Sequence, residues 1–323
     1  MIRGDEARSP PARDRSTSWA SLSFPSGRQF DLAFGDQRAV VVEVGGGLRS
    51  YSVGGRELVD GYRADEPVES GRGQVLIPWP NRVHGGRYEF GGRLHQLALT
   101  EPENGNAIHG LVRWAAWNDA DREPHRVAME HTLHPQPGYP FSLELRIEYE
   151  LSETGLAVRT RVTNVGAARC PFGAGAHPYV TLGTVSVDPL FLHIPARTVL
   201  DSDEHGVPIG THPVAGTDFD FREARPIADT KLDHAFTDLE RDRDDLARVT
   251  LSDPETAAGL TVWVDESYGF LMLYTGDPRP DVARRSLAVE PMTCPPNAFQ
   301  TREALVLLEP GDTFTGSWGI APA

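Results

Sequence analysis

From about Ser18 onward the hydrophobic positions recur with period two. Phe141, Leu143, Leu145, Ile147, Tyr149 and Leu151 fall on one face, and Ser142, Glu144, Arg146, Glu148 and Glu150 on the other. Such alternation predicts a strand with one packed and one wet face. After Ser152-Glu153-Thr154-Gly155 it resumes, with Leu156, Val158, Thr160 and Val162 set against Ala157, Arg159 and Arg161, which predicts a hairpin. A second hairpin is predicted at Arg87–Phe90, Gly91-Gly92 and Arg93–Leu97, because a Gly-Gly pair accepts the positive φ of a two-residue turn. Further strands are expected at Ala39–Val44, Leu48–Val53, His125–His134, Arg248–Leu251, Leu260–Val264, Phe270–Tyr274 and Thr313–Trp318.

Helical periodicity is weak throughout. The charged segment Thr237–Leu246 reads equally as a short helix or an exposed loop. Gly45-Gly46-Gly47 lies between strands and leads into no helix, so it reads as a turn rather than a phosphate loop. With 32 glycines and 26 prolines concentrated between many short strands, the expected fold class is all-β, a large antiparallel β-sandwich. Residues 1–17 are polar, carry two adjacent prolines and read as a disordered tail. A length of 323 residues would suggest two domains, but all-β folds often use more than about 200 residues as one. Residues 18–323 are accordingly expected to form a single domain.

Charge narrows the partners. The 46 acidic residues against 31 basic ones give a net charge of −15, which opposes binding to nucleic acid or an anionic membrane. No run approaches the ~20 apolar residues of a membrane helix, and the charged N-terminus has no signal-type apolar region. Cys170 and Cys294 are the only cysteines and sit in no metal-type cluster, which suits a reducing, cytoplasmic compartment. Lys231 is the only lysine, so Schiff-base chemistry would have to rest on that residue.

Five segments depart from ordinary strand or loop composition. In Leu76-Ile77-Pro78-Trp79-Pro80-Asn81-Arg82-Val83, two prolines stiffen the backbone around an aromatic platform, with Asn81 and Arg82 as fixed donors. A rigid core-edge loop with Arg82 in a salt bridge would use the same residues. His109, in Asn106-Ala107-Ile108-His109-Gly110, reads as a ligand-facing or a structural histidine. The small residues of Phe172-Gly173-Ala174-Gly175-Ala176-His177-Pro178-Tyr179 allow close approach of backbone or ligand beside His177 and Tyr179. The fourth segment, Lys231-Leu232-Asp233-His234, offers Asp233. In the fifth, Glu290 closes the apolar run Leu287–Val289. A buried carboxylate is costly unless paired or used, and burial raises its proton affinity toward that of a useful base. A structural ion pair with an arginine is the alternative for Asp233 and Glu290. No HxH or HExxH spacing occurs, so no metal site is expected, and no GxSxG elbow supports a serine hydrolase.

Taken in order, Asn81-Arg82, His109-Gly110, His177-Pro178-Tyr179, Asp233 and Glu290-Pro291 resemble the aldose 1-epimerase (galactose mutarotase) family, from about Ser18 to the C-terminus. The resemblance implies a supersandwich fold. It also implies interconversion of the α and β anomers of an aldohexose, with Glu290 as general base and His177 as general acid. Arg82, His109 and Asp233 align with residues that hold sugar hydroxyls, and Asn81 and Tyr179 are grouped with them as substrate-binding residues. The implied partner is a small-molecule sugar, the implied assembly a monomer or homodimer, and no cofactor is needed.

Two departures from the galactose-specific pattern stand out. Ile77-Pro78-Trp79-Pro80 replaces a glycine-arginine-rich lead into Asn-Arg, and Gly173-Ala174-Gly175-Ala176 replaces asparagine-rich flanks before the acid histidine. Pro-Trp-Pro-Asn-Arg is more similar to a bacterial mutarotase-like subgroup, which leaves glucose, another aldohexose or a 6-modified (sulfonated or phosphorylated) hexose open. A non-catalytic sugar-binding protein would not need the His177 and Glu290 pair. A glycoside hydrolase would need two carboxylates, such as Asp233 and Glu290, flanking the scissile bond.

Overall fold

The computed structural model describes residues 24–280 and 283–323. The tail expected at residues 1–17 lies outside the described residues. Nearly all regular structure is β, with one short helix at Ala298–Thr301. Among the described residues every strand pairing is antiparallel, and the two largest sheets have nine and eight strands. Among the described residues no helix is long and apolar enough to cross a membrane.

The alternation at 141–162 produces the centre of the nine-stranded sheet. Leu143–Ser152 pairs with Gly155–Asn164 across a two-residue turn, and Thr313–Pro322 continues the sheet on the other side of the second strand. Leu143, Leu145, Ile147, Tyr149 and Leu151 are buried, while Glu144 is exposed and Glu148 half-buried, as period two requires. The Gly91-Gly92 hairpin also forms, with φ of 59° and 72° at the two glycines.

The eight-stranded sheet carries the chemistry-bearing segments. Its central strand, Leu287–Met292, lies between Phe270–Tyr274 on one side and the short strands Gly175–Ala176 and Tyr179–Val180 on the other. Leu287 and Val289 face the main core together with Leu271 and Leu273. A small interior void between the sheets is bounded by Ile147, Tyr149, Val158 and Trp318 on one side and by Val75, Gly175 and Ala176 on the other. The same alternation turns Ala288, Glu290 and Met292 to the opposite face. Met272 pairs with Glu290, and Tyr274 pairs with Asp233 of Asp233–Leu239. Glu290, Met272, Tyr274 and Asp233 therefore share one face of three adjacent strands.

Two expectations are corrected. Of the two readings of Thr237–Leu246, the loop holds from Glu240 onward and the helix does not form: Thr237 and Leu239 pair with Thr198 and Ala196 in a strand, and the chain then turns around Asp242, whose carboxylate accepts backbone N–H groups of Asp244 and Leu246. Trp79 is no exposed platform. It is 2% exposed and packs against Phe299 with ring centroids 5.4 Å apart, because the stiff Pro-Trp-Pro segment runs through the core. Both cysteines are free and buried.

One glycine fixes the loop that joins these elements. Gly110 has φ of 70°, and a Cβ there would lie 2.0 Å from the Ile77 carbonyl oxygen. Gly110→Ala is expected to cost about 3 kcal/mol or more, combining backbone strain with a backbone clash that cannot relax. Urea denaturation measures it, and a change below about 0.5 kcal/mol would show that the loop adapts.

Candidate active site

The segment after Val75–Leu76 turns at Pro78 and Pro80 and delivers Asn81 and Arg82 beside Asn106–Ile108, with Arg82 opposite Ile108. Asn81 and His109 both adopt left-handed backbone conformations, φ 53° and 61°. They lock together: His109 N–H donates to the Asn81 carbonyl at 2.9 Å, and Asn81 N–H donates to His109 Nδ1 at 3.2 Å. The second bond sets the tautomer. With Nδ1 accepting, the neutral ring carries its proton on Nε2 and is a hydrogen-bond donor there.

His177 lies between Gly175–Ala176 and Tyr179–Val180. Its N–H donates to the Gln74 carbonyl at 3.1 Å, and its carbonyl accepts from Gly73 N–H at 2.9 Å. The small residues before it allow this tight packing. His177 and Glu290 are buried, and His177 Nε2 lies 3.3 Å from Glu290 Oε1. The other carboxylate oxygen, Oε2, has no hydrogen-bond partner. The His109 ring meets that of His177 edge-on at 5.3 Å.

These groups line a cleft of about 440 Å³. All seven residues singled out in the sequence, Asn81, Arg82, His109, His177, Tyr179, Asp233 and Glu290, lie along its wall. They come from segments up to about 200 residues apart in sequence, and it is the sheet register that gathers them. The cleft also holds Gln74, Glu101, Arg113, Trp114 and Arg279, which the sequence reading missed. The available signal for two of these was Arg113-Trp114, a cation and an aromatic shortly after His109-Gly110. Trp114 is 62% exposed and takes the cleft-lining place expected of Trp79.

Arg82 is held by a two-pronged pair with Glu101, both N···O distances being 2.8 Å, and Asn106 Nδ2 donates to the same carboxylate at 2.9 Å. Burial alone would raise the Glu101 carboxyl, but the Arg82 guanidinium and the Asn106 amide outweigh it and hold it below the usual carboxylate range. Arg82 is thus salt-bridged, and it also lines the cleft.

Burial drives the central pair apart in proton affinity. Glu290 is pushed well above an ordinary carboxyl by desolvation first and by the Asp233 charge second, against the pull of Arg82. His177 is lowered to about 3, by desolvation first and then by the Arg113 and Arg72 charges. His109 is likewise lowered by burial, with the His177, Arg113 and Arg82 charges adding to it. Both shifts oppose isolated charge, so the pair favours a state of no net charge in which the two groups share one proton. Asp233 stands at the solvent side of the cleft, and its carboxyl is raised by the surrounding protein while Arg82 opposes the rise.

His109, His177 and Glu290 offer ligand atoms within 4.8 Å of one another, the spacing of a cation site. The donor set fits poorly. A cation on His109 Nε2 would force the proton onto Nδ1, where it would face the Asn81 N–H. Metal-bound histidines instead donate their second nitrogen to an acceptor.

The sequence model of the aldose 1-epimerase family matches residues 29–320. The chain belongs to the aldose 1-epimerase family. It is 38% identical to the uncharacterized protein YihR of Escherichia coli K12, over 88% of this chain and 90% of that one. It is 31% identical to the aldose 1-epimerase of the same organism, over 51% of this chain and 52% of that one. Among solved structures, the GalM/aldose epimerase homologue from C. elegans superposes with a TM-score of 0.81 at 18% identity, covering 92% of this chain and 98% of that one. The galactose 1-epimerase of Lactobacillus acidophilus NCFM superposes with a TM-score of 0.74 at 22% identity, covering 91% and 94%. At these identities the structures show the shared fold, the antiparallel sandwich expected from the alternation.

The raised Glu290 carboxyl has a consequence for stability in this aldose 1-epimerase family member. Below about pH 4.5 the group is protonated in both folded and unfolded chains. As pH rises, the unfolded chain ionises first and folding must carry a proton, so stability falls until the folded carboxyl also ionises. Glu290→Gln removes this cost. Its melting temperature relative to wild type is expected to climb between pH 4.5 and pH 8, as calorimetry would record. A pH-independent difference would show that Glu290 titrates normally in the folded protein.

Proposed function

We propose that the chain is an aldose 1-epimerase that interconverts the α and β anomers of an aldohexose, with Glu290 as the base and His177 as the acid. The observation that carries this reading is the buried contact of 3.3 Å between His177 and Glu290 in a cleft otherwise lined by sugar-compatible donors. Family membership supports the reaction class.

The proton count suits ring opening. In the reactive form the shared proton sits on His177 and Glu290 is a carboxylate. Glu290 takes the proton of the C1 hydroxyl, the C1–O5 bond breaks, and His177 delivers its proton to the ring oxygen. The products are an open-chain aldehyde, a protonated Glu290 and a neutral imidazole. Rotation about C1–C2 presents the other face of the aldehyde, and the same two transfers run in reverse. One proton passes from acid to base through the sugar, and the pair ends as it began. The shifts favour the proton on Glu290 in the resting pair, so the reactive form is reached by moving that proton to His177.

Arg82, held by Glu101, and the Nε2–H of His109 supply fixed donors for sugar oxygens, Asn81 adds its amide, and Asp233 accepts from hydroxyls. Trp114 offers a partly exposed ring at which an apolar sugar face can rest.

Polarimetry on freshly dissolved α-anomers of a panel of neutral and 6-substituted aldohexoses tests the reading. Wild-type protein is expected to accelerate the approach to equilibrium, and Glu290→Gln and His177→Asn are each expected to lose about 10²–10⁴-fold in kcat. No acceleration across the panel, or full activity in Glu290→Gln, contradicts it.

A further inference from the structure

His177 has an aromatic support that no family assignment above includes. Its ring stacks on that of Tyr179, with centroids 5.0 Å apart and planes 17° from parallel. Tyr179 is 1% exposed, and its hydroxyl donates to the Ser70 carbonyl at 3.1 Å. The Arg72 guanidinium lies over the same Tyr179 ring, 5.7 Å from its centre. Between Ser70 and Arg72, Gly71 approaches so closely that a Cβ would lie 2.7 Å from His177 Cδ2. The turn that carries Arg72 is therefore moulded around the imidazole.

Arg72 is itself anchored. It is 7% exposed, and its Nε forms a long ion pair with Asp60 Oδ2 at 3.8 Å, beyond hydrogen-bond distance. Asp60 joins three segments. Its N–H donates to the Tyr179 carbonyl at 2.8 Å, Arg285 grips its carboxylate with N···O distances of 2.8 to 3.0 Å, and Ser286 Oγ donates to it at 2.8 Å. Arg285 and Ser286 lead directly into Leu287–Met292, the strand that carries Glu290. Asp60 thus ties the backbone beside the imidazole through its N–H, and through its carboxylate it meets the cation over the supporting ring and the start of the strand bearing Glu290.

Resting on the acid–base reading above, we propose that Arg72 is a positioning residue for His177: anchored by Asp60, it fixes the Tyr179 ring on which the imidazole stacks and so holds Nε2 in register with Glu290. Arg72 touches no reacting atom in this scheme. Tyr179 then serves the reaction through His177. A cation buried beside an aromatic ring suits that task, because the attraction of guanidinium for the ring face holds both in one geometry. Its charge also disfavours a second positive charge on the imidazole, in the same sense as Arg113. The groups that face His177 are Glu290 from the central strand, His109 and Arg113 from the segment after Asn106–Ile108, Arg72 from the turn, and Tyr179.

Arg72→Met keeps the bulk and removes the charge. Three readouts are taken on the full chain: melting temperature, anomer exchange by NMR, and the pH titration of labelled histidine rings with His177→Asn used for assignment. In the folded variant, kcat is expected to fall about tenfold or more through misplacement of the acid while KM stays within about twofold. The His177 titration midpoint is expected to rise, since a cation has been withdrawn. Arg72→Lys, which returns the charge without the planar guanidinium, is expected to restore the midpoint more fully than kcat. If Arg72→Met does not fold, Asp60→Asn, which loosens the anchor while leaving Arg72 in place, is expected to show the same fall in kcat at unchanged KM. A folded Arg72→Met protein whose kcat and His177 titration match wild type overturns the proposal. The titration needs no sugar, so it reports on Arg72 even if wild-type protein accelerates no anomer exchange, a result that would overturn the acid–base reading instead.

Discussion

The structure depends on one costly arrangement, a carboxylate buried in the middle of a sheet. Glu290 occupies a strand with all six residues buried, and its neighbours Val289 and Leu287 belong to the main core. Such a group is stable only where its proton affinity rises or a partner stands beside it, and both conditions hold here. His177 is that partner, and it is itself displaced from its usual charge preference in the opposite direction. The surrounding architecture can be understood as what holds the pair in contact: a central strand on one side, a glycine- and alanine-rich segment on the other, and the Asp60 tie between them.

Beside this pair two donors are held in place by the protein itself. His109 has its tautomer set by a backbone N–H, and Arg82 has its plane set by Glu101. Preorganisation of this kind lowers the cost of aligning groups during reaction, since little has to move when charge shifts.

The fold was largely legible in the sequence because period two is a local property. The stretch from Phe141 to Val162 announces two paired strands without reference to anything else. The site was legible only as separate pieces. Asn81, Arg82, His109, His177, Tyr179, Asp233 and Glu290 were visible as unusual residues, and the register that places Glu290 opposite Met272 and Asp233 opposite Tyr274 is what unites them. Trp79 misled because a tryptophan between prolines looks the same whether it faces a ligand or Phe299. Glu101, Arg72 and Asp60 left no trace, since each matters through a partner distant in sequence: 19 residues separate Arg82 from Glu101, and 225 separate Asp60 from Arg285. A short helix within 237–246 failed because cross-strand pairing of Thr237 with Thr198 outweighs weak local preference.

If the His177–Glu290 pair opens a sugar ring at C1–O5, the C1–O1 bond stays intact while the anomers exchange. Carbon-13 exchange NMR on a C1-labelled aldohexose in ¹⁸O-enriched water tests this most directly. Enzyme-dependent exchange between the two anomeric C1 signals is expected, with ¹⁸O entering C1 no faster than in the enzyme-free control. Entry of solvent ¹⁸O at the rate of anomer exchange would mean that the exocyclic bond breaks instead, and would contradict ring opening by this pair.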